Sequence, residues 1–235
     1  MNHELINCEP SYKNLTFILP NNRLVKYSFL LHLKSQIVIV PKQKVSVDFI
    51  LKESLKLFRQ KSYHNTSVAD IAEACGLLKG SIYHYFPSKE ALMHAVIQFV
   101  HSYFRDEIFS IAYNEKLSPQ ERMEKMFKKS ERMLLSDDGG DVMGNVGVET
   151  ARVIPEFSDE IKEFFAEWIR ATEHIFLQIT GEYEATKLAE QTVAEIEGAV
   201  MMTRIFKDPK FMKNAYERIN DRFASFALAG VPNSK

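Results

Sequence analysis

The stretch "TSVADIAEACGLLKGSIYHYFPSKEAL", residues 66–92, decides how this chain is read. Thr66 or Ser67 stands before "VADIAEA", and Asp70 falls in the first turn, where a carboxylate is favoured. That predicts a short helix. Gly76 supplies a turn, "LKGSIYHYF" predicts a second short helix, and Pro87 stops it before Ser88 caps a third. Two short helices around a glycine turn make a helix-turn-helix. Ile71, Ala72, Cys75, Leu77, Ile82 and Phe86 are the expected packing residues. Tyr83, His84 and Tyr85 in a row break the three-to-four residue apolar period, so they read as groups meant to touch something outside the fold.

Upstream, "VDFILKESLKLF" sets Val47, Ile50, Leu51, Ser54, Leu55 and Phe58 on one helical face, with Ser46 as cap. Downstream, every segment has a helical pattern. "SKEALMHAVIQFVHSYFRDEIF" is long, and "SPQERMEKMFKKSERMLLS" opens with a cap followed by proline. "DDGGD" interrupts before "VMGNVGVETARV". Three further helices are expected. One opens at Ser158, one ends at Asp208-Pro209, and one finishes before Gly230. No strand signature follows residue 45. The predicted fold is all-α: a three-helix DNA-binding domain over 41–90, then a helical effector-binding and dimerisation domain over 91–235.

Composition bounds the function. Hydrophobic residues make up 46% and charged residues 26% of 235, enough apolar material for a sizeable core. Two cysteines give neither a disulfide framework nor a metal cluster, and fit a cytoplasmic protein. No uninterrupted apolar run reaches membrane-spanning length, so no membrane partner is expected. The formal net charge is −1, yet its distribution is uneven: +2 over 1–40, +3 over 41–90 and −6 over the remainder. A basic front and an acidic back suit different partners. His84 lacks a matching nucleophile pattern, so no catalytic residue is expected. His94 and His101 lie seven apart without a third ligand at metal spacing, and Gly139-Gly140 is not followed by the residues of a phosphate loop. Neither a cofactor nor a metal is expected.

The order T-S-V-x-D-I-A-E-x-x-G, K-G-S-I-Y-H-Y-F and x-S-K-E-A-L resembles the DNA-binding region of the tetracycline-repressor (TetR/AcrR) family of bacterial regulators, from about Phe49 to Leu92. "MGNVGVE" (143–149) and "EIEGAVMMTRIFKDP" (195–209) resemble one branch of that family's ligand-binding domain. The resemblance implies a homodimeric, ligand-responsive regulator, most simply a repressor released from an inverted-repeat operator in double-stranded DNA by a small effector. A DNA-binding activator or architectural protein without a ligand is the alternative, and an enzyme using the helical cavity is a rival of another class. Thr66 and Lys89 would grip phosphates. Lys79, Gly80 and Ser81 would open the recognition helix, with Tyr83, His84 and Tyr85 beside them at the DNA. The effector would meet Phe99, Tyr103, Phe127, Met143 and Trp168, with Asn145 and Glu149 as polar anchors. The last two helices, about 184–228, would form the dimer interface.

The chain departs from the family pattern in places. Ser62 stands where glycine is frequent, at a small backbone cost. Leu78 replaces a capping Ser or Thr at the recognition helix, a loss of about 1 kcal/mol. Asp141 stands where some members carry cysteine. Residues 1–40 fall outside the pattern, with Val40 where the initiating Met would stand. They are expected to be an upstream extension or a wrongly chosen start, the alternative being an arm for the minor groove.

Overall fold

The computed structural model describes residues 45–135, 141–150 and 154–229. The expectation for residues 1–40 and the Gly139-Gly140 loop lie outside the described residues. Within them the chain is all-α, as the sequence predicts, with no strand. The helices are α1 (Val47–Lys61), α2 (Val68–Ala74), α3 (Lys79–Tyr83), α4 (Lys89–Glu107), α5 (Pro119–Leu134), α6 (Val142–Thr150), α7 (Pro155–Phe176), α8 (Glu182–Phe206) and α9 (Lys210–Ala229). A 3-10 turn, Phe109–Tyr113, links α4 to α5.

Side chains at the helix starts explain most boundaries. Ser46 Oγ accepts from Phe49 N–H at 3.2 Å, and Ser88 Oγ accepts from Ala91 N–H at 3.1 Å. Ser67 with Asp70, and Ser118 with Glu121, form reciprocal capping boxes. Gly76 turns between α2 and α3 at φ +64, where a Cβ is unfavourable. Leu78 gives α3 no side-chain cap, in keeping with the missing hydroxyl. Two boundaries differ from expectation. α3 ends at Tyr83, because the amides of Tyr85 and Phe86 both fold back onto the Ile82 carbonyl. α7 starts at Pro155 rather than Ser158, because proline at the first helical position has the right φ and needs no N–H partner. Val47, expected on the buried face of α1, is exposed at the helix's first position.

α7 carries the centre of the molecule. Phe157, Ile161, Phe164, Trp168, Ala171 and Ile175 recur at three- and four-residue steps and are all buried. They pack against α4, α6, α8 and the 3-10 turn. Phe164 sits 5.1 Å from Phe104 and 5.7 Å from Phe109 between ring centroids, and Trp168 stacks on Phe109 at 6.2 Å. α4 runs without a break from the helix-turn-helix into this cluster through Leu92, Val96, Val100 and Phe104, across residue 90. The histidines seven apart on α4 each meet a glutamate of α7: His94 with Glu160 at 3.0 Å and His101 with Glu167 at 2.6 Å.

Ser62 follows α1 with φ 68 and ψ 170, a region that suits glycine alone. Ser62→Gly should relieve that strain and lose only the 3.2 Å bond that Ser62 Oγ accepts from Asn65. After the extra chain entropy of glycine, a net stabilisation of about 1 kcal/mol is expected. Urea denaturation checks it, and a less stable variant would show that the strain is compensated locally.

Candidate DNA interface and effector cavity

The exposed side of the helix-turn-helix is built around Ile82, which is 1% exposed and anchors α3 to α2. Around it Lys79, Gly80, Tyr83 and His84 are exposed and Ser81 is half-buried. Tyr83 keeps 44% of its surface. A Cβ on Gly80 would meet nothing within 4 Å, so internal packing does not demand glycine there, whereas close approach of an outside surface would. Tyr85 is half-buried beside Phe86, and its hydroxyl donates to the Val45 carbonyl at 3.1 Å.

Thr66 and Lys89 are placed differently from that face. Thr66 is 1% exposed and its hydroxyl donates to the Ser62 carbonyl at 2.7 Å, closing the loop between α1 and α2. The Lys89 ammonium lies 4.2 Å above the Tyr63 ring, at the first residue of α4. Burial lowers the Lys89 pKa, while Glu90, Glu149 and Asp70 pull it back up. The Tyr63 hydroxyl donates to Glu90 at 3.2 Å, and burial, followed by that carboxylate's charge, raises its pKa.

Glu149, at the end of α6, reaches into the same loop. Its Oε2 accepts from Tyr63 N–H at 3.0 Å and its Oε1 from His64 N–H at 2.7 Å. One carboxylate therefore ties α6 to the loop that precedes the helix-turn-helix. Sequence reasoning singled out Glu149 as a pocket anchor, and no local pattern signals a partner 85 residues away.

On its other side α6 borders a cavity of about 560 Å³ between α6, α7 and α8. Gly144, Gly147 and Val148 come from α6, Ile161, Phe165, Ala166 and Ile169 from α7, and Glu197 from α8. Ser158 and Lys162 add polar groups. The volume and apolar lining suit a small molecule. None of the seven residues expected at the effector lines it. Phe99 is half-buried against the core, Tyr103 and Asn145 are exposed, and Met143 and Trp168 are buried. Phe127 stacks on Tyr216 at 5.0 Å. Trp168 stacks at 6.4 Å on Phe165, which does line the cavity.

A buried acid pair closes one wall. Asp141, just before α6, accepts from Met143 N–H at 2.9 Å and Gly144 N–H at 2.5 Å, and is hydrogen-bonded to Glu197. Burial, then the charge of Asp141, push the Glu197 carboxyl up to about 9. Burial likewise raises Asp141, against the pull of those amides, of Glu197 and of Arg59. Burial thus raises both carboxyls, and the pair holds a proton more tightly than an exposed acid would. In the sequence Asp141 reads only as the end of a helix break, 56 positions from its partner.

A helix-turn-helix with an open face, joined to helices that border an open pocket, is the arrangement of a DNA-binding regulator, and the comparisons with known proteins agree. Residues 50–96 match bacterial regulatory proteins of the tetR family, and residues 119–218 match the C-terminal domain of LmrA/YxaF-like transcriptional regulators. This chain belongs to the TetR family. It is 45% identical over 67 residues to the uncharacterized HTH-type transcriptional regulator YuxN of Bacillus subtilis, a match spanning 28% of this chain and 22% of that protein's length. It is 25% identical over 162 residues to the HTH-type transcriptional repressor DhaR of Mycobacterium sp., covering 66% of this chain and 81% of DhaR. A crystal structure of a TetR transcriptional regulator from Legionella pneumophila shares the fold, with a TM-score of 0.69 and 23% identity over 74% of this chain and 94% of that one. Among the described residues no helix is long and apolar enough to cross a membrane.

Proposed function

We propose that this chain is a cytoplasmic, homodimeric repressor, without enzymatic activity, whose grip on an inverted-repeat operator is released by a small effector in the α6–α7–α8 cavity. Lys79, Ser81, Tyr83 and His84 face the DNA, with Gly80 permitting close approach. Lys89 adds charge at the start of α4, while Thr66 and Tyr85 hold the loops that set the pose of α3. The division near residue 90 is one of roles, since α4 belongs to both halves. Met201 and Ile205, exposed and four apart on α8, together with Leu228 on α9, offer an apolar surface for the second subunit.

One observation carries the regulatory half of this reading. α6 is nine residues long, lines the cavity through Gly144, Gly147 and Val148, and carries in its last turn Glu149, which holds the Tyr63 and His64 amides. A molecule that displaces α6 therefore acts on the helix-turn-helix through that carboxylate. An effector shifts the equilibrium only as far as it prefers one state, and DNA must weaken effector binding by the same factor.

Trp168, the one tryptophan in the chain, contacts the cavity wall through Phe165 and makes the test direct. A compound that changes Trp168 emission saturably is expected to release operator DNA over the same concentrations. Glu149→Ala should cut that release severalfold and leave the Trp168 titration unchanged. Saturable binding without any release, in the native chain, would rule the cavity out as the effector site.

A further inference from the structure

We infer that Glu160 and Glu167 are positioning residues for DNA reading: they lock α4 onto α7 in one register, and that register sets which half-site spacing the homodimer accepts. The inference rests on the dimeric-repressor reading above and names residues that fix its geometry. α4 and α7 meet in a unit that occurs twice, seven residues apart on both helices. In the first rung Glu160 meets His94 Nδ1 at 3.0 Å through Oε2 and accepts from Gln98 Nε2 at 3.1 Å through Oε1. In the second, Glu167 meets His101 Nε2 at 2.6 Å through Oε2 and accepts from Arg105 Nε at 2.9 Å through Oε1. Each histidine also stands edge to face with the phenylalanine that precedes its glutamate by three residues. His94 lies 4.8 Å from Phe157 and His101 lies 5.5 Å from Phe164, between ring centroids.

Seven residues make about two helical turns, so both rungs fall on one face of each helix. Apolar contact is non-directional, whereas a carboxylate met by two donors specifies position. A slide of one turn, about 5.4 Å, leaves each glutamate at most one of its two donors. A slide of a full repeat rebuilds one rung and loses the other. The Arg105 hydrogen bond lowers the Glu167 pKa against the effect of burial, so the second rung holds a charged carboxylate. The first rung borders the helix-turn-helix. Phe157 is also edge-on to Tyr63 at 5.4 Å, in the loop before α2. A turn or slide of α4 at the ladder is therefore carried to α3, whose distance from its twin must match the half-sites.

Spin labels at Leu78 and Tyr183, both exposed, measure the pose of the head within one chain. They are introduced as Leu78→Cys and Tyr183→Cys in a Cys8→Ser background, where the remaining Cys75 is buried. Labelled chains are diluted with unlabelled ones, so neither DNA nor a partner subunit enters the distance. Double electron–electron resonance should give one narrow peak for the native ladder. Glu160→Ala with Glu167→Ala should lose that peak to a broadened or shifted one. Gln98→Ala with Arg105→Ala removes only exposed donors, should broaden the peak too, and decides the matter if the first pair fails to fold. The DNA probe is the inverted repeat protected beside the gene, with one base pair added between its half-sites. The native chain should bind the longer repeat severalfold more weakly, and the ladder variants should bind both spacings alike. A ladder that merely stabilises the fold lowers the unfolding temperature and leaves that discrimination intact. A broad native peak, a narrow peak in the variants, or native discrimination in the variants would overturn the proposal. DNA on which the native chain protects no inverted half-sites counts against the dimeric-repressor reading, while the spin-label result still decides the ladder.

Discussion

Tyr83→Ala is expected to weaken operator binding by about 1–3 kcal/mol, roughly five- to hundredfold, without loosening the fold. Tyr83 is the last residue of α3 and stands out from the surface. The helix is held by its neighbour Ile82, so removing the ring takes nothing from the core. Affinity that comes from a base edge or a sugar is lost without a change in salt dependence. Lys79→Ala should instead weaken all DNA sequences alike if its ammonium meets a phosphate, and flatten the slope of log affinity against log salt by about one unit. Fluorescence anisotropy at several salt concentrations separates the two. A Tyr83→Ala protein with native affinity would move the reading face of α3 elsewhere.

Phe164→Ala should have the largest effect on stability, about 3–5 kcal/mol. Phe164 is fully buried and lies against Phe104, Phe109, Phe165 and Trp168 at 5.1–6.1 Å. Truncation opens a cavity where α4, α7 and the 3-10 turn meet, and each surviving ring loses an aromatic neighbour. For a chain of this size the midpoint of thermal unfolding should fall by about 6–20 °C. Because α4 carries the same cluster toward the helix-turn-helix, operator affinity should fall with it near the midpoint. Differential scanning calorimetry provides the check. A loss under about 1 kcal/mol would mean that the cluster collapses onto the gap and that α7 is not the keystone of the packing.

The sequence makes legible what depends on near neighbours. Ser46, Ser67, Ser88 and Ser118 stand before apolar-periodic segments, and each caps the helix it precedes. Gly76 and Ile82 mark the turn and the anchor of the helix-turn-helix by their spacing. The unusual backbone at Ser62 is legible only against the family pattern, where glycine is frequent at that position. The cavity and its coupling are not legible in this way. Glu149 reaches Tyr63 and His64 across 86 and 85 positions, and Asp141 meets a partner on another helix, Glu197. No local period encodes such pairs. Aromatic residues at helical spacing mark a buried face, but not whether that face is filled. Phe164 and Trp168 fill the core, while Phe165, one position along, borders the cavity.

In the proposed repressor the α3 face reads DNA as one of a symmetric pair. The direct measurement is a nuclease footprint on the DNA flanking the gene, with the native chain and the Lys79→Ala, Tyr83→Ala double variant. Two protected half-sites are expected, inverted with respect to each other and centred about one helical turn, roughly 34–36 Å, apart. They should be lost in the double variant at concentrations that saturate the native protein. Protection that is absent with the native chain, or unchanged in the double variant, would contradict it.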